Sequence, residues 1–128
     1  MKKMTKGFTL VEIMIVVAII GIIIAIAVPA FLRARENSRG QACQENLTKI
    51  DGAKEQYALE FRLSNGAAVN FQDLIAPPGT SGASVAGYLK ATPTCPSGGG
   101  YSVNKVGIIP SCTIGTNNGG YLPHVMPQ

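Results

Sequence analysis

Charge is scarce in this chain where a soluble domain would carry most of it. From Ser64 to Gln128 only Asp73, Lys90 and Lys105 are charged, and most of the Gly and Pro fall in the same stretch. That half therefore reads as loop-rich and nearly neutral. Acids are rarer still, with Asp73 alone after Glu60, so no acidic calcium loop is recognisable. Histidine occurs once, as His124 between Pro123 and Val125, in a C-terminal tail expected to be exposed. A lone tail histidine leaves no positioned base for nucleophilic catalysis and no fourth ligand to complete a zinc site with three cysteines. No enzyme activity, metal or other cofactor is expected. Nor is there a phosphate cradle, because "PSGGGY" and "TNNGGY" do not open a helix with a Lys-Ser or Lys-Thr pair. The net charge of +4 does not amount to a nucleic-acid face, since Lys2, Lys3 and Lys6 precede everything else. Arg33, Arg35 and Arg39 are the remaining basic cluster and read as anchors at a membrane surface.

What is abundant is aliphatic sequence. From Ile13 to Leu32 run 20 uncharged residues, which as a helix at about 1.5 Å per residue span roughly 30 Å, enough to cross a bilayer. A cleaved secretory signal fits poorly despite the small residues of "AIAVPA", because the run is long and helix-forming, charged sequence continues directly beyond it. A plain signal anchor fits the length but leaves Glu12 unexplained. A carboxylate at the edge of hydrocarbon is costly and usually marks a function.

The leader "MKKMTKG" followed by "FTLVEIMIVVAIIGIIIAIAVPAF" resembles the N-terminal region of type IV pilins and type II secretion pseudopilins. Gly before an aromatic, Thr-Leu-x-Glu after it and an apolar helix with Pro29 near its end carry the resemblance across residues 7–32. It implies cleavage between Gly7 and Phe8 by a prepilin peptidase, with N-methylation of Phe8. The new amine would add positive charge to a helix N-terminus that is already partly positive. Glu12 is then expected to pair with the amine of a neighbouring subunit and set register in a filament, because misregistered subunits would strand two charges. The plainer alternative is that Glu12 caps its own helix. Gly21 and Pro29 are expected to kink the helix.

Beyond the apolar run, Cys43, Leu47, Ile50, Ala53, Tyr57 and Phe61 recur every three or four residues, which continues the helix with a polar face that includes Lys54. One helix over residues 8–63 is expected, stopped by Asn65 and Gly66. A helical turn at Asp73 to Ile75 should end before Pro77 and Pro78, and Tyr101 to Val106 and Ser111 to Ile114 read as a hairpin. The fold class is α+β and pilin-like: a long N-terminal helix with a small loop-rich head containing a short antiparallel hairpin. It divides as a cleaved leader (1–7), a transmembrane or filament-core half-helix (8–32), an amphipathic half-helix (33–65) and an extracytoplasmic head (66–128).

With the head outside the cytoplasm, an oxidising environment favours a disulfide, and Cys95 to Cys112 would close an 18-residue loop. Cys43 is left as a buried free thiol or as an alternative partner. The pattern "ACQENLTKIDGAKEQYALE" with "PTCPSGGGYSVNKVG" and "PSC" also resembles a group of short bacterial pseudopilin-like proteins. Together these features imply a single-pass inner-membrane protein with a periplasmic head, assembled with itself or other pilins into a secretion pseudopilus. Its partners would be the prepilin peptidase, an inner-membrane platform protein, an assembly ATPase and membrane lipid. The alternatives are a surface pilus serving adhesion, motility or DNA uptake, and a monomeric membrane-anchored binding module.

Overall fold

The computed structural model describes residues 7–78 and 87–127. Its elements are α1 (Leu10–Glu60), α2 (Phe71–Ile75), β1 (Tyr101–Ser102) and β2 (Ser111–Cys112). This is the pilin-like α+β arrangement of a long N-terminal helix and a small head with a two-stranded antiparallel sheet. Lys2, Lys3 and Lys6 of the leader, and positions 79–86 of the loop after α2, lie outside the described residues.

The chain divides into two compact units, Met1–Arg35 and Glu36–Gln128. In the first, every large apolar side chain from Phe8 to Leu32 is exposed, the least so being Val28 at 48 %. Ile, Val and Leu left bare at this density require an apolar solvent or a second apolar surface. Among the described residues α1 is the one helix long and apolar enough to cross a membrane. It stays helical through Gly21 and Pro29, although Pro29 has no N–H for the carbonyl of Ala25.

In the second unit α1 buries a narrow stripe of Gly40, Cys43, Leu47, Ile50, Ala53, Lys54, Tyr57 and Ala58. The helix stops earlier than Asn65 and Gly66 suggest. Arg62 takes a left-handed conformation (φ 51°), the Leu63 N–H donates to the Ala58 carbonyl at 2.8 Å and the Arg62 N–H to that of Leu59 at 3.4 Å. This is a Schellman closure formed without glycine. Gly66 serves the next turn, where its N–H donates to the Val106 carbonyl at 2.9 Å.

The head packs Val69, Leu74, Val103 and Val106 against Ile50, Ala53, Tyr57 and Ala58 of α1. The helical turn expected at Asp73 to Ile75 is a little longer, as α2, whose first turn is fixed by the Asn70 N–H donating to Asp73 Oδ2 at 2.9 Å. The hairpin is shorter than expected: Tyr101 pairs with Cys112 and Ser102 with Ser111, and the ladder ends there. Asn104 turns left-handed (φ 59°) and its amide donates to the Ile109 carbonyl at 2.8 Å. Val106 then pairs with Ala67, not with β2, at 3.0 Å.

That departure leaves carbonyls pointing at the helix, and Lys54 answers them. Expected on the solvated face, Lys54 is fully buried. Its Nζ donates to the Val103 carbonyl at 3.3 Å and to that of Ile108, and pairs with Asp51 Oδ1 at 3.1 Å. A buried ammonium is tolerable only when its donors are satisfied in this way. Lys54→Ala should therefore cost roughly 2–3 kcal/mol in denaturant unfolding of the head, since two carbonyls lose a charged donor; a loss below about 0.5 kcal/mol would contradict this role.

Candidate functional site

Two groups of side chains stand out, one in each unit. At the start of α1, Thr9 is the cap. Its N–H and its hydroxyl both donate to Glu12 Oε2 at 2.8 Å, and the Glu12 N–H donates back to Thr9 Oγ1 at 3.3 Å. This is the reciprocal Thr-x-x-Glu box that satisfies orphan donors of a first turn. It holds the carboxylate one turn from Phe8, on an exposed surface, with the positive end of the helix beneath it. Gly7 and Phe8 precede the helix, both exposed, Phe8 at 84 %, so the Gly7–Phe8 bond is accessible.

The second group lies in the head. The sulfurs of Cys43, Cys95 and Cys112 and a ring nitrogen of His124 lie within 4.8 Å of one another, and all four residues are buried. The structure shows no Cys95–Cys112 bridge; the three sulfurs stand together unbonded. One expectation is corrected here. His124 is not an exposed tail residue but fully buried, with Nδ1 at 3.4 Å from Cys95 Sγ.

The tail reaches α1 because the helix provides for it. Gly40 is the first requirement: a Cβ there would stand 2.8 Å from the Leu122 carbonyl oxygen and 2.9 Å from Leu122 Cβ. Gln44 Nε2 donates to the Pro123 carbonyl at 2.9 Å, and the Leu122 N–H donates to Asn37 Oδ1 at 3.2 Å. The His124 N–H completes the strap by donating to the Gly115 carbonyl at 2.8 Å. On the other side Asn46 Nδ2 reaches the Thr94 carbonyl at 3.3 Å, next to Cys95.

Electrostatically the thiols are unequal. Burial pushes the Cys43 thiol up to about 12. Burial also acts to raise Cys95, but the backbone N–H groups of Ser97 and Gly99, with the thiols of Cys112 and Cys43, hydrogen-bond its sulfur and bring it below the ordinary thiol value. The signal that could have exposed this cluster is a repeated Cys-x-x-Gly. In Cys95 to Gly98 and in Cys112 to Gly115 the glycine N–H donates to the cysteine carbonyl at 3.0 Å. Both glycines are left-handed, at φ 81° and 56°.

Most of the first unit has a recognisable counterpart: residues 2–28 match the prokaryotic N-terminal methylation motif. So does most of the chain. It is 30 % identical over 125 residues to the type II secretion system core protein G of Vibrio cholerae, covering 91 % of this chain and 86 % of that one. The chain belongs to the type IV pilin and type II secretion pseudopilin family. Among other family members, the type IV major pilin protein PilA of Myxococcus xanthus is 44 % identical over 55 residues, 43 % of this chain and 25 % of that one. The type IV major fimbrial protein FimA of Dichelobacter nodosus is 50 % identical over 58 residues, 45 % and 34 % of the respective chains. No solved structure matches. Likeness to the pilins is thus concentrated in about half the chain, whereas likeness to core protein G runs through the head.

As a pilin-like subunit the chain needs its head held firmly on α1, and the tail contact tests how. Gly52 lies on the same helix with nothing within 4 Å of a Cβ. Gly52→Ala should stabilise the head by up to about 1 kcal/mol, while Gly40→Ala should destabilise it despite the same gain in helix propensity. Thermal unfolding of the two variants side by side checks this; equal shifts of one sign would contradict the strap.

Proposed function

We propose that this chain is a subunit of a type II secretion pseudopilus, made as a precursor, cut between Gly7 and Phe8 and methylated at Phe8. The observation that carries the choice is the relation to core protein G across 86 % of that protein's length. The type IV pilins compared above cover less than half of this chain, so a surface pilus is the second reading. The methylation motif over residues 2–28 supports the processing step. On this reading the leader ends at Gly7, residues 8–32 sit first in the inner membrane and then in the filament core, and the head occupies the periplasm. Assembly draws on other pilin-like subunits, a platform protein and an ATPase.

Glu12 takes part in both stages. In the precursor its carboxylate is occupied by Thr9. Cleavage creates an ammonium at Phe8, one residue from that cap, and a carboxylate held there can accept the amine of a neighbouring subunit. A subunit docked out of register would bury Glu12 without a cation, at a cost of several kcal/mol. Apolar packing of α1 against other helices supplies attraction that is tolerant of sliding, and charge pairing supplies the register.

Mass spectrometry of the mature N-terminus should find N-methylated Phe8 as the first residue; an intact "MKKMTKG" leader on the membrane-extracted protein would overturn the processed-subunit reading. Glu12→Ala should leave insertion and cleavage unchanged while filament yield falls at least tenfold, scored by sheared-fraction immunoblot. Normal filaments from that variant would remove Glu12 from register setting.

A further inference from the structure

We propose that Cys43, Cys95, Cys112 and His124 form a closed, structural zinc site that fastens the C-terminal segment and the hairpin to α1. Three thiols and one imidazole are the complete ligand set of a tetrahedral Cys3His site. With Zn–S near 2.3 Å and Zn–N near 2.0 Å, the tetrahedron's edges are about 3.8 Å between sulfurs and about 3.5 Å between sulfur and nitrogen. The Cys95 Sγ to His124 Nδ1 separation is 3.4 Å and all four ligand atoms fall within 4.8 Å, so only small contractions are needed.

Independent features point the same way. His124 is fully buried, and its Nδ1 faces the Cys95 sulfur at 3.4 Å. Cys95 and Cys112 each open a Cys-x-x-Gly turn closed by a 3.0 Å glycine N–H to carbonyl bond, and the N–H groups after Cys95 point at its sulfur. Backbone donors to sulfur are what a metal-bound thiolate requires from its surroundings. Gly99 keeps the space open, since a Cβ there would stand 2.8 Å from Cys112 Sγ.

A disulfide is the competing fate of these sulfurs. It would consume two thiols with loss of two electrons and two protons to an external oxidant, leaving a third buried thiol and His124 without a shared role. Zinc uses all four: three thiols lose their protons, the imidazole binds neutral, and Zn2+ carries the resulting charge to −1. Metal uptake would therefore release protons and weaken as pH falls.

The test uses the processed full-length chain extracted in detergent without chelator. Elemental analysis should give about one zinc per chain, with three thiols that become titratable only after denaturation with chelator. Stripping zinc from the unmutated protein should lower the unfolding midpoint, and zinc should restore it; cobalt in its place should show the thiolate charge-transfer and visible bands of a tetrahedral site. Cys95→Ser and His124→Ala should each weaken zinc binding more than about tenfold in chelator competition. Metal-free protein whose intact mass is lower by two hydrogens, with a Cys–Cys peptide on digestion, would overturn the site. So would bound zinc that survives both substitutions unchanged, or an unfolding midpoint indifferent to chelator.

Discussion

The structure depends on one helix that its own chain covers only along part of its length. From Glu36 onward α1 has a head to pack against, and its buried stripe is continuous from Gly40 to Ala58. Before Arg35 the apolar side chains are all exposed, with aliphatic residues at nearly every position. Hydrophobic burial has no direction, so such a surface serves lipid tails and neighbouring helices equally well. That indifference suits a pilin-like subunit, which must be stable in a membrane and then leave it for a filament.

Specificity has to come from elsewhere, and it comes from polar groups placed at few points. In the apolar half Glu12 is such a point on the proposed reading, with its carboxylate held by Thr9. Lys54 has a corresponding role in the head, where it accepts burial because the hairpin loop turns the Val103 and Ile108 carbonyls toward it. Both are charges held by short-range hydrogen bonds in surroundings that would otherwise reject them. The head's small core cannot supply much stability by area alone, which gives a convergent Cys and His cluster at its base unusual structural weight.

Periodicity made α1 legible from sequence, because residues spaced three and four apart project onto one face whatever the tertiary context. Only the plainer reading of Glu12, as a cap of its own helix, was legible there; that Thr9 is its partner comes from the structure. The sequence pattern puts Lys54 on the solvated face, because nothing local marks a lysine as buried; its carbonyl acceptors lie 49 and 54 residues away. The burial of His124 is hidden in the sequence for a related reason. Its burial follows from Asn37, Gly40 and Gln44 meeting a tail 79 to 85 residues later in sequence, and none of these residues advertises that role. Three cysteines without a placed histidine read as a pair and a spare, because sequence separation hides that Cys43 and His124 stand beside both. The helix ends three residues before the expected 63 because Arg62, not a glycine, adopts the left-handed conformation.

The central claim is that one surface of α1 meets lipid first and other subunits afterwards. It is tested most directly by a photoreactive phenylalanine analogue placed at Ile20, in mid-span and 49 % exposed, and irradiated in cells before and after filament assembly. The account predicts lipid adducts in the unassembled membrane pool and subunit-to-subunit adducts in sheared filaments. Adducts to lipid alone in both fractions would contradict it.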